Sequence, residues 1–133
     1  MTSSRFCLLL FGASVLGACS PAPDANQPPA TRPAFVDRIW TATDPAAAPG
    51  SLRVFVSDGT LLMTSCVEVY RLARWRQIGQ DQIEWDEDGS RIQAAIVDAT
   101  DDRLHLRLQL VSEVRDEEYE LARSPQVCPD LPR

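Results

Sequence analysis

Lysine is absent from this sequence: its 13 basic residues are all arginine, set against 19 acids. This reads as a compositional bias rather than as chemistry. Histidine is nearly absent too, with His105 alone, and the four cysteines form no CxxC pair. Structural and catalytic metal sites draw on clustered Cys and His ligands, so no metal and no cofactor are expected. Proton transfer has little to work with, because His105 has no nucleophile spaced to pair with it. An enzyme is therefore not expected. No apolar run approaches the roughly 20 residues that a membrane-spanning helix needs. The formal charge of −6 argues against nucleic acid and against a polybasic grip on anionic lipid. Beyond the N-terminal apolar segment, no stretch sustains a 3.6-residue hydrophobic period, which removes helix from the expected fold.

What is present begins at the N-terminus. Arg5 precedes an apolar run from Phe6 to Val15, and small residues lead to Cys19. A charged start, an apolar middle of this length and a small-residue junction are the parts of a secretory signal. The stretch Leu16-Gly17-Ala18-Cys19 resembles the bacterial lipoprotein lipobox. The resemblance implies a signal peptide over 1–18, cleavage before Cys19, a diacylglycerol thioether on its sulfur and usually N-acylation. Ser20 follows, not the Asp of retained lipoproteins, which implies the outer membrane, periplasmic face. One acyl chain holds a protein only reversibly, at about 0.8 kcal/mol per buried methylene, whereas three hold it firmly. Loss of Arg5 with the leader takes the formal charge from −6 to −7.

From Ser20 to Ala34 the chain carries five prolines and no apolar period. Such composition cannot bury enough surface to fold, so 19–34 reads as a lipidated cysteine with a flexible Pro/Ala-rich tether. The domain expected over 35–133 retains Cys66 and Cys128. In an oxidising compartment, where disulfides persist, only one intramolecular pairing is open to them. Two buried free thiols, or a bond between chains, are the alternatives.

Within 35–133 the pattern is β almost throughout. Strands are expected over 36–43, 52–56 and 60–66, continuing through Leu72 with a bend near Cys66. A short strand over 73–78, one over 82–85, one around Ile92, Ala94 and Ile96, one over 103–110 and one over 117–122 follow. Leu104, Leu106, Leu108 and Leu110 alternate with Arg103, His105, Arg107 and Gln109, so the leucines face inward. Asp58-Gly59 between apolar runs marks a hairpin. Its register is open: a two-residue turn pairs Ser57 with Thr60, and a three-residue loop with a bulge at Gly59 pairs Val56 with Thr60. About eight short strands at regular turn spacing make an all-β fold, a small antiparallel up-and-down barrel or a sandwich. Trp40, the Asp58-Gly59 hairpin and Trp75 are similar to lipocalin-like modules of bacterial envelope lipoproteins.

Candidate sites are few. Arg71, Arg74 and Arg76 around Tyr70 and Trp75 form the one basic-aromatic group, suited to stacking on the indole or clamping a carboxylate or phosphate of a ligand or partner. Charged strand exteriors give the same pattern. Asp86-Glu87-Asp88-Gly89 lacks the ligand spacing of a calcium loop and reads as an acidic turn. The acids from Glu113 to Glu120 read as a solvated loop and strand edge. The tryptophans suit core positions. The expected protein is a lipid-anchored, non-catalytic periplasmic module held to the membrane through Cys19. Its function is to bind a small apolar or amphipathic ligand or, alternatively, to meet a basic envelope protein through an acidic surface.

Overall fold

The computed structural model describes residues 32–125 and 127–129. The expected signal peptide, Cys19 and the tether as far as residue 31 lie outside the described residues. Eight strands follow one another: β1 Ile39–Ala42, β2 Leu52–Phe55, β3 Thr60–Thr64, β4 Arg71–Gly79, β5 Gln82–Glu87, β6 Ser90–Ala99, β7 Arg103–Gln109 and β8 Val114–Leu121. Each pairs antiparallel with the next, and β8 pairs with β1 through Trp40↔Leu121 and Ala42↔Tyr119, closing the barrel. Closure removes the unpaired edges that an open sheet would offer to other chains. The up-and-down barrel is thus the fold, and the sandwich is not.

Turn chemistry sets the registers. Phe55 pairs with Leu61, Val56 N donates to Thr60 O at 2.8 Å, and Gly59 N donates to Val56 O at 3.0 Å. The hairpin is therefore the three-residue loop with Gly59 at φ +85°, a region that glycine enters without steric cost. Asp88 and Gly89 both take positive φ, 49° and 79°, between Glu87 and its partner Ser90. These are the dihedral signs of a two-residue I′ turn, matched to the right-handed twist of paired strands.

Two expectations are corrected here. Val67–Tyr70 does not continue β3. Residues 65–70 form a loop, and Leu72 belongs to a single nine-residue β4 that absorbs the short strand expected over 73–78. A register shift between Gln77 and Gly79 falls just before the Gln80–Asp81 turn. The last strand also begins earlier than expected, at Val114 rather than Glu117. The unbroken charged run Arg115–Glu118 hid the alternation there.

Side chains fill the interior. Trp40, Phe55, Leu61, Ile83, Trp85, Leu104 and Leu106 are fully buried, and an eight-stranded barrel is about wide enough to be packed this way. Phe35 enters from outside the strands and closes one end. Its ring meets Phe55 edge-on at 5.3 Å and Trp75 at 5.6 Å, and its carbonyl accepts from Trp40 Nε1 at 2.8 Å. The Ser57–Gly59, Gln80–Asp81 and Thr100–Asp102 turns lie at this closed end. The loops 43–51 and 65–70 and the turns after β5 and β7 surround the other end, the mouth. Leu104, Leu106 and Leu108 face inward as expected; Leu110 lies just past β7 and packs partly buried against the core.

Candidate functional site

The period of two that buries the leucines also carries charge inward at the mouth. Trp40 pairs with Arg53, Arg53 with Met63, and Met63 with Arg71. On the far side Leu106 pairs with Glu117 and Leu104 with Tyr119. Since Trp40, Met63, Leu106 and Tyr119 are buried, Arg53, Arg71 and Glu117 share their face. Together with Ala42, Glu87, Arg115 and loop residues Asp44, Ala46–Ala48, Ser65 and Glu68, they line a cleft of about 420 Å³ at the mouth.

Two linked ion pairs form its floor. Arg53 Nη2 lies 2.9 Å from Glu117 Oε2, the side chains being 15% and 20% exposed. The Tyr119 hydroxyl donates to Glu117 at 2.5 Å, and burial pushes that hydroxyl's pKa well above its ordinary value. The Arg53 guanidinium also stands over Trp85 and Tyr119, 5.2 and 5.7 Å from the ring centres. Aromatic faces attract a cation there. In the second pair Arg71 meets Glu87 at 3.0 Å and Asp88 at 2.9 Å, while Trp85 Nε1 donates to Glu87 at 3.1 Å. Trp85 therefore touches both pairs. Among the described residues, Arg53 Nη1 is the one buried side-chain polar atom without a hydrogen-bond partner. Such an atom costs about 1–3 kcal/mol, offset here by the pair on Nη2 and the two ring faces.

Arg71 lies apart from the rest of the basic-aromatic group. Strand alternation sends Arg71 into the mouth, Trp75 inward near the closed end and Arg74 and Arg76 to the exterior. Trp75 Nε1 donates to Val56 O at 2.9 Å, a packing role. Arg74, Trp75 and Arg76 line a shallow groove with Glu84, Trp85, Asp86 and Arg91. There Glu84 is almost fully covered and accepts from Arg76 Nε at 2.7 Å and Gln93 Nε2 at 3.3 Å. The Arg76 guanidinium holds the Glu84 carboxyl below its ordinary range. His105 lies on the exterior with Nε2 2.9 Å from Asp116 Oδ1, which also takes Arg107 Nε at 2.9 Å. Bonds from His105 and then Arg107 lower the Asp116 pKa.

Cys66 and Cys128 stand at disulfide-bonding geometry, with Cα atoms 5.4 Å apart. The bridge joins the tail, which leaves β8 at the closed end, to the 65–70 loop at the mouth. Cys66 N donates to Pro49 O at 2.8 Å, so the two loops bounding the cleft are stitched together beside the bridge. After Ala122, which donates to Ile39 O at 2.9 Å, the described tail makes no further backbone hydrogen bond to the barrel.

Sequence reading missed Arg53, Glu87 and Glu117 as inward residues. A signal existed in β8, where Tyr119 and Leu121 set an inward period that extends back to Glu117 and Arg115. No group of three or more His, Cys, Asp or Glu side chains is placed to hold a metal among the described residues. No protein-family model matches the chain, and no curated protein matches its sequence.

Proposed function

We propose that the protein is a lipid-anchored, non-catalytic binding module of the bacterial envelope, facing the periplasm from the outer membrane, and that its ligand sits in the barrel mouth. The lipobox-like Leu16-Gly17-Ala18-Cys19 supports the anchor and the location, and the eight-stranded barrel fits the lipocalin-like resemblance. One observation carries the choice of site. The interior is packed with aromatic and aliphatic side chains, so space for a ligand lies above them, in the cleft floored by Arg53, Glu117 and Tyr119. Such a cleft suits an amphipathic ligand. Met63, Ala42 and the alanines of the 43–51 loop offer apolar contact, and Arg53, Arg71, Glu87 and Glu117 offer charges of both signs to a head group.

Met63 is a built-in reporter, since the only other methionine is Met1. With methionine methyl groups labelled in the full chain, hexanoate or hexylammonium should shift the Met63 resonance saturably, and Arg53→Leu should change the affinity. No shift at Met63 with either probe, up to their solubility, overturns the mouth as the site. A second reading has its own observation. The exterior of β5–β8 carries Glu118 and Glu120 without a cationic partner among the described residues, which suits a basic envelope protein. Capture of such a partner that weakens steeply with salt would favour it.

A further inference from the structure

The barrel's exterior is divided by charge. On β5–β8 the outward positions include Glu84, Asp86, Asp98, Asp116, Glu118 and Glu120. On β1–β4 they include no carboxylate among the described residues. The register instead lays one apolar row straight across these four strands, with Ile39 opposite Val54, Val54 opposite Leu62 and Leu62 opposite Leu72. The flanks of the row are open, Ile39 being 48% and Leu72 61% exposed. Beside it, Arg74 has no carboxylate within ion-pair distance among the described residues; its Nη1 donates to Asp58 O at 3.2 Å. The other outward positions include Thr41, Leu52, Thr60, Thr64, Arg76 and Ile78. Contiguous exposed apolar surface on a soluble domain marks a contact face.

We propose that this wall docks on the phospholipid surface to which the chain is anchored, its apolar row at the headgroup boundary and Arg74 toward lipid phosphate. The inference rests on the lipid-anchor reading. In a chain of net negative charge, β1–β4 is the wall that an anionic surface does not repel, and each arginine near such a surface adds about 1 kcal/mol. A second copy would be recognised by protection that depends on protein concentration. The contact need not be strong. At about 3.5 Å per residue the segment from Cys19 to Arg32 spans at most about 45 Å. A domain so confined meets its surface at an effective concentration in the millimolar range. Docking by this wall would lay the barrel on its side and leave the mouth open to the periplasm.

The test is side-chain footprinting by hydroxyl radicals on the full acylated chain in vesicles of phosphatidylethanolamine and phosphatidylglycerol. Ile39 is read against Val114, which is 57% exposed on the opposite wall. The reference is the Leu72→Glu, Arg74→Glu chain in the same vesicles, both positions being exposed and its fold checked by far-UV dichroism. Ile39 should be labelled several-fold less in the wild type, with Val114 unchanged. Equal Ile39 labelling in the two acylated chains overturns docking and leaves the anchor standing. Absence of an acyl group by intact mass removes the anchor and the docking with it. Protection that appears only with rising protein concentration, or only in native envelope membranes, overturns lipid in favour of a second copy or a protein.

Discussion

Replacing Arg53 by leucine tests whether the floor of the cleft works as a unit. The Arg53–Glu117 pair is 2.9 Å long with both side chains four-fifths or more covered. It lies between an exposed pair, worth about 0.2–1 kcal/mol, and a buried one, whose breakage costs about 3–5 kcal/mol. The guanidinium also loses its two ring contacts, while the cost of the unpartnered Nη1 disappears with it. Arg53→Leu should therefore destabilise by about 2 kcal/mol, with Glu117 left to the Tyr119 hydroxyl. Glu117→Gln should cost about 1 kcal/mol, because the amide still accepts one bond. The double variant should cost less than the sum by about 1 kcal/mol, the coupling of two groups in direct contact. Urea unfolding of the oxidised full chain, followed by far-UV dichroism, measures all three. Additive losses, each within about 0.5 kcal/mol as at an ordinary surface position, would refute a coupled floor.

Leu106→Ala should cost about 2–5 kcal/mol through lost burial and a cavity, since Leu106 is fully buried. Gln109→Ala, on the exterior of the same strand, should stay within about 0.5 kcal/mol, and chemical unfolding compares the two. Reducing Cys66–Cys128 should remove about 4 kcal/mol for a loop of this length. Alkylation under denaturing conditions should label both thiols only after reductant; labelling without it counts against the bridge. Glu84 and Asp116 have folded pKa values below their ordinary ones, so their contribution is present at neutral pH. It should fade as pH falls through the unfolded carboxylate values, below about 4.5. Thermal melts from neutral pH down to pH 3 should show this loss, and Glu84→Gln should make it shallower.

Much of the barrel could be read in advance because its apolar alternation is clean where a strand faces a filled core. β7 shows Leu104, Leu106 and Leu108 against polar neighbours, and the Asp58-Gly59 signal located its hairpin. Register was not readable, since Asp58-Gly59 suits both loops: glycine is left-handed in each, and they differ in whether the aspartate also takes positive φ, as Asp88 does and Asp58 does not. The mouth was hidden for a different reason. Inward positions there carry Arg53, Arg71, Glu87 and Glu117, which period-based reading assigns to solvent. They tolerate the interior because each charge meets an opposite charge or an aromatic face, Arg53 reaching Glu117 from β2 to β8 and Arg71 reaching Glu87 on the neighbouring β5. The same alternation took Arg71 into the mouth, away from Arg74, Trp75 and Arg76, whose closeness in sequence suggested one cluster. Val67–Tyr70 was misjudged because its β-favouring residues sit in a loop held by Cys66.

Everything proposed about location and partner turns on Cys19, and metabolic labelling with a fatty-acid probe followed by intact mass of the membrane-extracted chain tests it most directly. The expected result is a labelled chain beginning at Cys19 with its acyl groups, and an unlabelled precursor for Cys19→Ala. Equal labelling of the two, or a processed chain that begins elsewhere and carries no lipid, would contradict it.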